Sequence, residues 1–297
     1  MNRSVAGAML AALLSLSAAA MAEPRCVADV RGHDVCVATP VSRVIALSPA
    51  TTELVWSAGG EQYLRATVSG DYPAEVRKLP SVGDHNGLDL EAIVRLQPDM
   101  VVGWSSGNSS VAIERLERLG LTVWMTEPSS FADIATTLTG LGRLMATEDI
   151  AEPAAAQLQQ GVDQLAAQYA SKSPVSVFVQ VWHQPLMTLN GDHWLSEVLS
   201  LCGGINIFAA LPALVPRVSE EDVLRADPQV IISGAVGDDS SAGAAGLAIW
   251  QRFAHLQAVK HQHLVAIPSS MIHRPTSRLL TGAQRVCEAI DGARGEH

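Results

Sequence analysis

Ser69, Asp71 and His85 bring the ingredients of a nucleophile, an orienting carboxylate and a base into one stretch of this 297-residue chain. Hydrolysis would need the hydroxyl and the imidazole within about 3 Å of each other, and no local motif sets them there. No G-x-S-x-G elbow, H-E-x-x-H, Walker loop or G-x-G-x-x-G falls in the strand, turn and helix context that gives such a motif meaning. A hydrolase stands as an alternative reading, and no catalytic residue is assigned. His261 and His263 would share one face of an extended segment, with His255 nearby, so a metal is conceivable. The chain has no acidic, histidine-rich loop to go with them, and the pair reads as solvated. The stretch from Gly234 to Gly246 lacks the lysine and following Ser/Thr of a phosphate cradle and reads as a surface loop. His85 differs, because Gly83-Asp84-His85-Asn86-Gly87 directly precedes a helical pattern, where a ligand cleft would have its edge.

Residues 1–22 have the layout of a cleavable export signal: Arg3, an apolar run from Val5 to about Ala20, then Ala20-Met21-Ala22. The run is shorter than the ~20 residues a helix needs to span a bilayer, so a soluble, periplasmic mature chain is expected. Cys26 follows Ala22-Glu23-Pro24-Arg25 rather than the small residues that a lipid-anchored cysteine wants. In an oxidising compartment four cysteines favour disulfides, and four allow three connectivities. Their spacing argues for Cys26 with Cys36, closing a loop within residues 23–42, and Cys202 with Cys287. A thiolate zinc site would use a C-x-x-C spacing that this chain lacks. The net charge of −10, which loss of Arg3 deepens, is spread along the sequence and does not suit a nucleic-acid partner.

The elements that must position these groups follow an α/β pattern. Beyond the signal, the length exceeds one ordinary core, so two lobes of roughly 120 residues are expected. Short β-branched runs alternate with helical patterns, which predicts parallel sheets with flanking helices. In the first lobe, residues 43–146, strands are predicted at Arg43–Leu47, Leu64–Val68, Met100–Trp104 and Leu121–Trp124, with a helix over Asp133–Met145. Ser48-Pro49 reads as the capped start of a helix. The alanine- and glutamine-rich stretch 147–172 predicts one long linking helix. In the second lobe, residues 173–297, strands are predicted at Val175–Val181, Val230–Ser233 and Leu264–Ile267, then a helix over Thr276–Ala289. A single stiff helix between lobes predicts modest closure.

The lobes echo each other. Glu91-Ala92-Ile93-Val94-Arg95-Leu96-Gln97-Pro98-Asp99-Met100-Val101-Val102 reads against Glu221-Asp222-Val223-Leu224-Arg225-Ala226-Asp227-Pro228-Gln229-Val230-Ile231-Ile232, with glutamate, arginine and proline in register. Trp104 ends the first repeat strand, and ligands in open α/β sheets lie at strand carboxyl ends, so its indole is a candidate ligand wall.

Several segments are familiar in the same order: Arg43 through Leu54 (RVIALSPATTEL), Asp71-Tyr72-Pro73, Val82-Gly83 ahead of Leu90-Glu91, Pro98-Asp99, Leu201 through Phe208 (LCGGINIF) and Val218-Ser219 ahead of Glu221. They resemble the periplasmic cobalamin-binding proteins, of the helical-backbone class that also serves siderophores and haem. The resemblance implies a cleft between two lobes, a corrinoid ligand in place of any cofactor, an ABC importer permease dimer as partner, and a monomeric binding protein that is no enzyme. It implies that Glu91 and Glu221 each dock on permease arginines, where a carboxylate can accept a paired guanidinium bond. It also matches Cys202 with Cys287. Trp104 and Ala50 match pocket positions, and Arg274 matches an arginine of the opposite lobe. Elsewhere the chain departs from the pattern: Ser69 stands for a tyrosine, His85 for a tryptophan, Val215 and Met271 for aromatics, and Ser270 for an aspartate. Fewer aromatic walls reduce contact with a flat corrin, which Trp182 or Trp194 would restore. His85 could offer an imidazole to a cobalt or iron centre, which keeps haem and ferric siderophores open as ligands.

Overall fold

The computed structural model describes residues 24–84, 86–235 and 246–295. The expected export signal, His85 and residues 236–245 of the glycine- and serine-rich stretch lie outside them. A hairpin of β1 (Arg25–Ala28) and β2 (Asp34–Val37) comes first, with Cys26 opposite Cys36 and bonded to it. The first lobe then runs β3 (Val44–Ala46), α1 (Pro49–Val55), β4 (Leu64–Thr67), the two-residue strands β5 (Gly83–Asp84) and β6 (Gly87–Leu88), α2 (Leu90–Arg95), β7 (Met100–Trp104), α3 (Ser110–Arg118), β8 (Val123–Thr126) and α4 (Phe131–Met145). The long α5 (Glu148–Tyr169) follows. The second lobe runs β9 (Val175–Gln180), a small hairpin of β10 (Trp182–His183) and β11 (Leu186–Met187), α6 (Trp194–Leu201), β12 (Gly204–Asn206), α7 (Glu220–Ala226), β13 (Val230–Ala235), α8 (Gln257–Lys260), β14 (Leu264–Pro268), α9 (Ser269–Ile272) and α10 (Leu279–Gly292).

Both lobes wind the same way. The first sheet has the parallel order β4-β3-β7-β8 and the second the parallel order β12-β9-β13-β14, so the repeated sequence segments occupy equivalent places. The equivalence reaches single residues. Gln97 (φ 48°) and Asp227 (φ 42°) both adopt the left-handed conformation directly before their prolines, turning the chain from α2 into β7 and from α7 into β13. Asp99 then accepts from the Ser42 and Arg43 N–H groups, each at 3.0 Å, and Gln229 accepts from the Ser176 N–H at 3.0 Å. Each bond ties the incoming strand to the first strand of its own sheet.

Side chains alternate across a pleated strand, so each sheet has two faces to cover. Val44, Ala46, Met100 and Val102 of the first sheet, and Val175, Val177, Val230 and Ile232 of the second, join Leu158, Val162 and Leu165 of α5 in one apolar cluster. The opposite faces build separate clusters, around Ile45 and Val101 in one lobe and around Phe178 and Trp250 in the other. The linking helix is therefore a packed member of both lobes. At Gly161 it lies so close to α10 that a Cβ would come within 2.3 Å of Leu280. The Cys202–Cys287 disulfide joins the end of α6 to α10.

Two boundaries differ from the sequence pattern for identifiable reasons. β8 starts at Val123 rather than Leu121, because Gly120 (φ 83°) and a Leu121 N–H bond to the Leu116 carbonyl finish α3 first. α10 starts at Leu279 rather than Thr276, because the residues just before it serve a contact between the lobes.

Candidate ligand cleft

The carboxyl edges of the two sheets meet. On the first lobe, a cavity of about 520 Å³ is lined by Ser48 and Pro49 after β3, Val68 and Ser69 after β4, Asp84 and Asn86 on either side of His85, and Trp104 at the end of β7. Ser48 also caps α1: its Oγ accepts from the Thr51 N–H at 3.1 Å and its own N–H donates to Thr51 Oγ1 at 3.0 Å. Ala50 follows Pro49, half-buried in the first turn. Ser69 is held in a left-handed conformation (φ 52°). The Trp104 indole is fixed at several points. Its Nε1 donates to Glu127 Oε1 at 2.9 Å, and Glu127 also accepts from Ser106. Asn108 accepts from the Trp104 N–H at 2.7 Å and donates to the Leu47 carbonyl at 3.0 Å. Gly107 lies under the ring, where a Cβ would sit 2.1 Å from Trp104 Cε3. These contacts preset an aromatic wall in the cavity.

The second lobe contributes differently. Trp182, on the β10–β11 hairpin beyond β9, is 53% exposed, with its Nε1 donating to the Gln184 carbonyl at 2.8 Å. Val215 is half-buried in the segment whose Leu214 and Pro216 carbonyls accept from Asn190 and Thr188. Met271 packs on the shared core, and so does Trp194, whose Nε1 donates to the Ile272 carbonyl at 3.0 Å. Of the two tryptophans considered for this lobe, Trp182 presents free ring surface.

Arg274 does not extend into open space. Its guanidinium forks onto Asp71 of the first lobe, at 2.5 and 2.8 Å, and reaches Glu53 of α1 at 2.8 Å. Thr276 Oγ1 donates to the other Glu53 oxygen at 2.9 Å, Arg278 approaches Glu53 at 3.4 Å, and the Arg278 guanidinium lies 3.8 Å above the Tyr72 ring. Burial pushes the Glu53 carboxyl up against these bonds, while the Arg274 bonds hold Asp71 below the usual carboxylate range. Asp71 is thus an arginine partner here. Sequence reasoning assigned no role to Glu53, which lies in the fully buried stretch Thr51 to Val55, where a charge needs a cation.

Other candidates fall as follows. Glu91 and Glu221 are exposed in the first turns of α2 and α7, with no bonded partner among the described residues, while neighbouring Glu220 pairs with Arg252 and Asp222 with Arg225. His261 and His263 stack with ring centroids 6.0 Å apart across a left-handed Gln262 (φ 60°), so they share a face without an extended segment. Among the described residues no three His, Cys, Asp or Glu side chains group as a metal site. His193 is buried and accepts from the Leu195 N–H at 3.1 Å, capping α6. Burial, with His273 nearby, lowers its pKa to about 4.

Two equivalently wound lobes, packed on one helix and meeting at their strand carboxyl ends beside an aromatic-walled cavity, define a ligand-clasping protein of the two-lobed kind. Residues 44–271 match the periplasmic binding protein family, and the chain belongs to that family. It is 34% identical over 249 residues to the vitamin B12-binding protein of Vibrio cholerae serotype O1, covering 84% of this chain and 88% of that one. The crystal structure of the periplasmic vitamin B12-binding protein of Vibrio cholerae superposes with a TM-score of 0.79, covering 86% of this chain and 99% of that one at 34% identity. The fold is shared more widely: a periplasmic heme-binding protein from Roseiflexus superposes with a TM-score of 0.75 at 19% identity, covering 85% of this chain and 99% of that one. Among the described residues no helix is long and apolar enough to cross a membrane.

Proposed function

We propose that this chain captures cobalamin or a related corrinoid in the periplasm and delivers it to an ABC importer, its activity being binding without turnover. The observation that carries the reading is the collinear 34% identity to a vitamin B12-binding protein, over most of both chains. The preset Trp104 wall supports it, since a corrin offers a broad apolar face to an indole. Ser69 and Trp104 of the cavity wall, Ala50 next to Pro49, and Trp182, Val215 and Met271 on the other lobe are the proposed ligand-facing positions. Glu91 and Glu221 are the proposed docking knobs for a permease dimer, with the binding protein acting as a monomer; matched exposure and matched placement in the repeat support this.

Haem or a ferric siderophore on the same scaffold is the second reading, favoured by the loss of pocket aromatics at Ser69, Val215 and Met271. Titrating cyanocobalamin, dicyanocobinamide and hemin into the purified protein, by calorimetry and absorbance, separates the two. Tight corrinoid binding is expected. Binding of hemin alone would replace the first reading with the second. In the same assay, an unchanged chelate spectrum in His85→Ala would remove the imidazole as a metal ligand.

A further inference from the structure

The junction between the lobes holds two arginines that a charged ligand would seek, and both are already neutralised. Arg274 lies just past α9, the short helix that follows β14, and Asp71 lies just past β4, so their bond joins the carboxyl ends of the two lobes, and Glu53 lies one turn beyond Pro49 of the cavity wall. Glu53 is 2% exposed, with both oxygens bonded, to Arg274 and Thr276. Arg278 is taken up by Glu53 and the Tyr72 ring. Two carboxylates balance these two guanidinium groups, while a third, Arg77, donates to the Asp71 carbonyl at 3.0 Å from the exposed side. Among the described residues the cavity lining carries no lysine or arginine, and it does carry Asp84.

We propose that Glu53 and Asp71 set the charge selectivity of the cleft: by holding Arg274 and Arg278 across the lobe junction they withhold cations from the ligand and tune the site for electroneutral metal chelates over chelates bearing free carboxylates. The inference rests on the ligand-binding reading but concerns a different property, discrimination by charge. A carboxylate entering the cleft loses its hydration and needs a charged donor in return. Here Arg274 is spent on two carboxylates of the protein, and Arg278 on Glu53 and the Ser270 hydroxyl. An electroneutral corrinoid asks for no such donor.

The test measures hemin, which carries two carboxylates, and cyanocobalamin, which is electroneutral, against the parent protein, Asp71→Asn, Glu53→Gln and the double variant. Asp71→Asn removes a carboxylate that is 44% exposed, so its folding is not at issue. Freed guanidinium bonds are expected to raise hemin affinity about tenfold or more relative to cyanocobalamin. Adding Arg274→Ala to Asp71→Asn should return hemin affinity to the parent value. If hemin affinity is the same in parent and variants, or if both ligands shift together as a purely structural latch would require, the proposal is overturned. Failure of the parent to bind any corrinoid would sink the functional reading alone, because the hemin comparison between parent and variants still stands.

Discussion

Trp104 is gripped by Glu127 at its indole nitrogen, by Asn108 at its backbone and by Gly107 beneath its ring, so the wall it forms exists before a ligand arrives. A rigid aromatic surface loses little entropy on binding and is the usual source of a large truncation effect. Trp104→Ala is expected to weaken corrinoid binding by about 2 kcal/mol, roughly thirtyfold. An unchanged calorimetric titration would remove it from the ligand wall. Gly107→Ala, which must push the ring, should weaken binding by displacing the wall. His193 gives a second prediction at this scale. Its folded pKa of about 4 lies below the ordinary histidine value, so between them the unfolded chain binds more protons than the folded one. Its contribution, up to about 3 kcal/mol, is complete above pH 6.5 and is lost as pH falls toward 4. His193→Asn keeps a capping side chain for α6 and should lose less stability between pH 7 and 4.5 than the parent in urea titrations. Parallel losses would assign the acid sensitivity elsewhere.

At the scale of elements, α2 and α7 are the same device used twice. Each has a cap, Asp89 or Ser219, an exposed glutamate in the first turn, and a left-handed residue leading through proline into a central strand. Substituting Glu91 and Glu221 together by alanine should abolish uptake in a reconstituted importer while ligand affinity stays at the parent value. Lost affinity would count against docking. Ser219→Ala removes the hydroxyl half of a capping box, leaving the bond from its own N–H to Asp222, and should cost about 1 kcal/mol in chemical denaturation. This layer was legible in the sequence because caps, prolines and repeats act over a few residues. Ser48-Pro49, the ends of β7 and the span of α5 follow from such local signals. The start of α10 does not, since Thr276 and Arg278 are drawn to Glu53, some 220 residues earlier. Nor does the role of Arg274, whose charge looked available for a ligand until Asp71 was placed opposite it.

For the whole molecule, the shared apolar cluster along α5 decides how far the lobes can part. Opening widely would strip Val162 and Leu165 from one sheet or the other, at a cost of burial on both. X-ray scattering is therefore expected to show the radius of gyration changing by less than about 1 Å on ligand saturation. A larger contraction would mean that the helix and its cluster yield. The disulfide between Cys202 and Cys287 closes a separation of 85 residues, and its double alanine variant should lose roughly 2–4 kcal/mol. Two lobes and a joining helix were readable from composition and periodicity. The common core was not, because strand patterns tell that a face is buried without telling what covers it.

All four cysteines of the chain are spent on two bonds, so the parent protein offers no thiol to an alkylating dye. One engineered cysteine at exposed Leu119 and another at exposed Ile205 would each label singly, one per lobe. A fluorophore pair on these sites would turn the chain into a ruler, reporting the separation of its halves molecule by molecule while an importer takes the cargo.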